Sequence, residues 1–155
     1  MSGSGLAAGL RATVRAVVGQ DDTALALGSG DVPVLGTPRL LALAEAASVA
    51  AVRPQLAGGQ TTVGTAVRVE HRRPSPVGAA VTVDAELTEV DGRRLVFMFT
   101  ARQAGLPGAA GSGQAAAAAR DGDGAEVIGA GTIERVLLDR DRFIAGIQTP
   151  VVERG

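Results

Sequence analysis

The sequence predicts an α+β domain in which one antiparallel sheet curls around a single long helix. Three observations carry that expectation. Residues 37–52 are an Ala/Leu-rich run that opens on Thr37-Pro38 and stops near Arg53-Pro54. After it the apolar pattern changes to strict alternation, the period of a strand. Several alternating segments then follow, and Asp91-Gly92 marks a hairpin between two of them.

Taken in order, RATVRAVV (11–18) alternates loosely and reads as a first strand. DDTALALGSGD reads as a short extended piece ending in Gly, Ser and Asp turn chemistry. The helix is expected to start with Thr37 as N-cap and Pro38 at the first helical position, since Thr can accept from an orphan amide and Pro has none to waste. On a helical wheel Leu40, Leu43, Ala44, Ala47 and Ala51 share one face, extended by Leu41, Ser48 and Val52. Apolar residues nearly surround it, so the helix is expected to be largely buried. Gly58-Gly59 ends the connection. TTVGTAVRVEH (61–71) then sets Val63, Val67, Val69 and His71 on one face, opposite Arg68 and Glu70. RRPSPVG is a turn, 80–90 and 94–102 form the hairpin, and 126–139 is a strand kinked by glycine. DRDRFIAGI reads as a short terminal helix. Residues 104–124, rich in Ala and Gly, read as a flexible loop inserted in a strand connection.

A chain of 155 residues is one domain by length, so 1–155 is taken as a single unit. Hydrophobic residues make up 46% of it, but the only aromatics are Phe97, Phe99 and Phe143. Small side chains bury little area each, so close packing or a partner subunit should supply part of the stability. The sheet has exposed edges, and pairing two copies is a common remedy, so a homodimer is expected. Net charge is −1 and there is no basic stripe, which removes the electrostatic footprint of a nucleic-acid binder. No Cys and one His give no ground for a disulfide framework, a thiolate or a metal centre, and no cofactor is expected. The longest apolar run, Leu40 to Val52, is too short for a membrane span. The start lacks the pattern of a signal peptide, so the expected location is cytoplasmic.

Three side chains can carry chemistry, and each has two readings on pattern alone. Glu45 is the only acid in the helix: either an edge residue reaching solvent or an Arg, or a buried carboxylate with a partner. His71, the only His, ends a strand: a core-edge ring bonded to backbone, or an acid–base group working near neutral pH. Thr37 is either a cap alone or a hydroxyl at a helix N-terminus, where free amides suit an oxygen gaining charge. Pro38 lacks an amide, so such donors would be Arg39 and Leu40. Gly64 interrupts its strand, marking a bulge or a close backbone approach.

Taken together, LGTPRLLALAE, QTTVGTAVRVEH, the P-x-P-x-G of Pro74 to Gly78, EVDGRRLVF and GAGTIERVLLDRDRF resemble the fluoroacetyl-CoA-type thioesterases of the hotdog superfamily. The resemblance spans about Asp21 to Phe143, without the 104–124 loop. It implies a hotdog fold and a dimer with sites near the subunit interface. It also implies a site of Thr37, Glu45 and His71, with Gly64 as an oxyanion or substrate-binding donor. Members specific for fluoroacetyl-CoA carry aromatic residues just before the threonine. Here that stretch is GSGDVPVLGT, so Val34 and Leu35 are expected to line an aliphatic pocket for a short or medium acyl-CoA. The expected reaction is hydrolysis of an acyl-CoA thioester, by a general-base or a covalent route. The alternative is a non-catalytic module that binds acyl groups or CoA. A hydratase ranks last, because its Asp and His sit close in sequence.

Overall fold

The computed structural model describes residues 5–104 and 124–147. The expected flexible insert, apart from its two ends, lies outside the described residues. Five strands, β1 (Arg11–Val17), β2 (Gln60–His71), β3 (Ala80–Asp91), β4 (Arg94–Gln103) and β5 (Glu126–Asp139), form one sheet. Their order is β1-β3-β4-β5-β2, and every neighbouring pair is antiparallel. Among the described residues three α-helices accompany it: α1 (Ala24–Leu27), α2 (Thr37–Val52) and α3 (Arg140–Ala145).

Alternation on β3 and β4 builds the floor of the core. Val81, Val83, Ala85 and Leu87 point inward with Leu95, Phe97 and Phe99, all nearly inaccessible. Leu40, Leu43, Ala44 and Ala47 of α2 pack onto them, matching the predicted helix face. Each fully buried Leu or Phe contributes roughly 1.5–3 kcal/mol, so the small residues between them serve mainly to let helix and sheet approach. The hairpin falls where Asp91-Gly92 placed it: Asp91 faces Arg94, and Gly92 takes φ 58°, which an L side chain rarely adopts.

Three expectations change. The stretch after β1 is not extended: Thr23 caps α1 by accepting from the Ala26 amide at 3.1 Å. Helix α2 is buried on one face only, and Ala42 and Ala46 lie exposed on the other. Its weak amphipathicity comes from small residues facing outward, not from burial all round. On β2 the register shifts between Gly64 and Ala66, a bulge that reverses which side chains face the helix. Thr62 and Gly64 take the inner face before the bulge, and Val67, Val69 and His71 take it after, leaving Val63 on the other side. Opposite partners in the ladder agree: Gly64 faces Arg135 and Val67 faces Ile133, both on the buried side of β5. Among the described residues no helix is long and apolar enough to cross a membrane.

Candidate active site

The segment before α2 is stitched to the turn after His71. Val34 bridges Pro76, and the Leu35 amide donates to the Ser75 carbonyl at 2.8 Å. That turn is in turn held to β5, where the amides of Arg72 and Arg73 both donate to the Ile128 carbonyl. The start of the helix is tied down from the other side. The Gly36 amide donates to the Asp22 carbonyl at 2.9 Å, and Arg39 pairs with the Asp22 carboxylate at 2.9 Å. Glycine keeps β5 close at this point: a Cβ on Gly129 would lie 2.6 Å from the Glu70 carbonyl and 3.2 Å from Leu40 Cδ2.

These ties bring Thr37 to His71. Thr37 Oγ1 lies 2.8 Å from His71 Nδ1. The helix begins one residue earlier than expected: Gly36 is the N-cap, with no side-chain cap bond, and Thr37 is the first helical residue. The capping account of Thr37 is thereby set aside, because its hydroxyl is used on the histidine. The amides of Arg39 and Leu40 are not free donors either; both donate to the Gly36 carbonyl, at 3.0 and 3.1 Å.

Burial lowers the pKa of His71 below its ordinary value, with a backbone group of Arg73 acting more weakly the other way. The ring is therefore neutral near pH 7, the form that can take a proton from a hydroxyl. Its Nε2 is shut off from solvent without a hydrogen bond of good geometry.

Glu45 does not join this pair within the chain. Eight residues along a helix are about 12 Å, so its carboxylate sits well beyond Thr37. Glu45 Oε2 accepts from Arg135 Nη1 at 3.0 Å. Arg135 is itself held by β2: Nε donates to Thr62 Oγ1 at 2.9 Å and Nη2 to the Thr62 carbonyl at 3.0 Å. Burial lowers the Arg135 pKa, and the charge of Glu45 pulls it back up. Gly64 lies directly beneath: a Cβ there would be 2.7 Å from Glu45 Oε2 and 3.4 Å from Arg135 Nη1.

The four predicted residues thus fall into two separate pairs, Thr37 with His71 and Glu45 with Gly64. They are separated by about 12 Å along the helix and roughly 20 Å along β2. Leu35, expected to line a pocket, is 2% exposed and belongs to the core, while Val34 is half-buried. The apolar surface ahead of Thr37 comes instead from Leu25, Leu27 and Val32, all exposed. Arg135 is not among the candidates the sequence offers. Its signal was there: in Ile133-Glu134-Arg135-Val136-Leu137 the inward positions of the alternation are Ile, Arg and Leu. Two surface depressions, of about 660 and 600 Å³, lie elsewhere, over β1, β3 and β4, and hold none of these residues.

The glycine contact makes a prediction. In Gly64→Ala the methyl meets only the ends of two side chains, so the melting temperature should shift by no more than a few degrees. The carboxylate must move by about 1 Å, which on the reading below lowers kcat about a hundredfold. Steady-state kinetics beside a thermal melt check both parts.

Residues 18–115 match the sequence profile of a family described as fluoroacetyl-CoA-specific thioesterase. A fluoroacetyl-CoA thioesterase of Streptantibioticus cattleyicolor is 34% identical over 115 residues, 74% of this chain and 68% of the relative. The solved structure of a fluoroacetyl-CoA thioesterase is similar with a TM-score of 0.73 at 32% identity, covering 94% of this chain and 99% of that one. A threonine-to-serine mutant of a fluoroacetyl-CoA thioesterase, solved with acetyl-CoA, gives 0.71 at 31% identity, covering 90% and 95%. A thioesterase-superfamily protein of Thermus thermophilus gives 0.73 at 23% identity over 94% and 91%, a likeness of fold. The helix wrapped by five antiparallel strands is a hotdog fold.

Proposed function

The chain belongs to the fluoroacetyl-CoA-specific thioesterase family, and from that premise we propose that it hydrolyses an acyl-CoA thioester to the free acid and CoA with Thr37, His71 and Glu45. The observation that carries this reading is the 2.8 Å contact of the Thr37 hydroxyl with His71 Nδ1. A hydroxyl beside a neutral imidazole is a nucleophile beside its base. Thr37 attacks the thioester carbon and gives its proton to His71. His71 then protonates the departing CoA sulfur, and a water activated by the same ring releases the acid from Thr37.

With Nδ1 accepting from Thr37, the ring proton sits on Nε2, which is buried and makes no hydrogen bond of good geometry among the described residues. Glu45 of the partner subunit in a homodimer is proposed to complete the site. Strand β2 lies at the end of the sheet, with residues 64–68 exposed and Val67 47% accessible. Antiparallel pairing of β2 with its copy, centred near Val67, carries the His71 end of one strand alongside the Gly64 end of the other. Each site then combines Thr37 and His71 of one chain with Glu45 and Gly64 of the other, and the Gly64 amide is the proposed donor to the developing oxyanion. Leu25, Leu27 and Val32 favour an aliphatic acyl group of short or medium length, next to Val34. A cytoplasmic location belongs to the same reading.

Free-thiol release from acyl-CoAs of graded length tests the activity. Turnover supports it; thermal stabilisation by acyl-CoA or CoA without turnover across the panel favours the binding module instead. Co-expression tests the shared site. Glu45→Gln and His71→Ala chains are each expected to be inactive alone. Random mixing into dimers restores one complete site in each heterodimer, about a quarter of wild-type activity. A site closed within one chain regains nothing.

A further inference from the structure

We propose that Gln103, acting with Glu126, is a positioning residue: it locks the turn over 72–76 that carries His71 on one side and holds the segment before Thr37 on the other. The inference rests on the thioesterase reading above. Along β4 the inward positions are Leu95, Phe97, Phe99, Ala101 and then Gln103, all buried. The alternation asks for an apolar side chain at 103. Gln103 is instead an amide, 4% exposed, whose Oε1 makes no hydrogen bond of good geometry among the described residues. A buried acceptor left without a partner costs stability, so stability does not account for glutamine at this place.

The geometry gives it a task. Gln103 Nε2 donates to the Pro74 carbonyl at 3.2 Å and to Glu126 Oε2 at 2.8 Å. Glu126 faces Gln103 across the β4–β5 ladder, and its other oxygen pairs with Arg73 Nε at 3.4 Å. One amide therefore grips the turn twice, at Pro74 directly and at Arg73 through the carboxylate. The grip reaches both members of the reacting pair. Ser75, next to Pro74, is fully buried, and its carbonyl holds the Leu35 amide two residues before Thr37. On the other side, burial lowers the His71 pKa and the backbone of Arg73 works against it, so the turn bears on the ring itself. The 2.8 Å contact of Thr37 with His71 thus spans two segments that this turn joins.

Steady-state kinetics, thermal melts and ¹⁵N spectra of the histidine ring at pH 8 are compared for wild type, Gln103→Met, Glu126→Ala, Glu126→Gln, His71→Asn and the double variant Gln103→Met/His71→Asn. His71 is the only histidine, so its ring signals need no further assignment. Gln103→Met keeps length and burial and removes the unpartnered oxygen. It is expected to hold or raise the melting temperature while lowering kcat about tenfold, with KM within about twofold. Its ring ¹⁵N shifts move from those of one hydrogen-bonded tautomer toward the averaged values of a free imidazole. Glu126→Ala lowers kcat about fivefold with the same drift of the ring shifts, and carries the test where Gln103→Met does not fold. Glu126→Gln recovers most of that loss, because its amide oxygen still accepts from Gln103. In the His71→Asn background the Gln103 change costs less than about twofold, as expected of groups that act through one another. Wild-type kcat or unmoved ring shifts in folded Gln103→Met, or full additivity in the double variant, overturns the proposal and leaves the thioesterase reading intact. A wild type without turnover overturns that reading, and with it any role of Gln103 in the reaction, and is recognised by that alone.

Discussion

Glu45→Gln is expected to lower kcat for acyl-CoA hydrolysis by about 10³–10⁴ with KM changed only a few-fold, by comparison with the loss when the carboxylate of a hydroxyl–histidine–carboxylate triad becomes an amide. The change keeps the shape and most of the packing of residue 45. It removes the charge that Arg135 holds at 3.0 Å and that would face the imidazolium formed during acyl transfer. Stability should fall less than activity, since the side chain is 36% exposed and water can reach the guanidinium through the gap. Single-turnover kinetics beside a denaturation curve separates the two effects. Retention of more than a tenth of wild-type kcat in a folded Glu45→Gln protein would remove Glu45 from the chemistry.

His71→Asn should lower kcat by about 10²–10⁴, the usual range for a general acid–base group, and leave the Thr37 hydroxyl without its base. The pH dependence follows from the direction of the pKa shift. Burial holds His71 below its ordinary value near 6.5, so the ring is neutral and the wild-type rate already on its plateau at pH 7. The limb that reports His71 lies on the acid side and is lost in the variant. Stability carries the same sign. The unfolded chain takes up a proton at the ordinary pKa and the folded chain only at a lower one. The contribution is thus complete above about pH 6.5 and is lost as pH falls through the folded value. Melting temperatures of wild type should therefore drop more steeply than those of His71→Asn between about pH 7 and pH 5. A rate that climbs only above pH 8 contradicts the assignment of a neutral base.

Much of this molecule is legible one residue at a time. The helix over 37–52 follows from its 3.6-residue face and its proline boundaries, and the hairpin from Asp91-Gly92. These depend on local propensity and on the period of burial, which neighbours in sequence decide. The bulge on β2 is different. Gly64 marks that something happens there, but which side chains turn inward beyond it depends on pairing with β5. A register set by a distant strand leaves no local trace: alternation alone puts Val63 on the face of Val67, and the bulge puts it on the other. Leu35 is a similar case: one more aliphatic residue in sequence, yet placed in the core by its tie to Ser75.

By itself, then, the sequence specifies an α+β chain with one long helix, a sheet after it, and three candidate side chains, Thr37, Glu45 and His71. Tertiary structure alone decided how they group. It took the Thr37 hydroxyl off the helix cap and set it on His71. It placed Glu45 a separate distance away, against Gly64 and an arginine ninety residues further along. The physical reason is that burial and periodicity are properties of a segment. Which donor meets which acceptor depends instead on the crossing of helix and sheet and on strand register, and these exist only once the whole chain has folded.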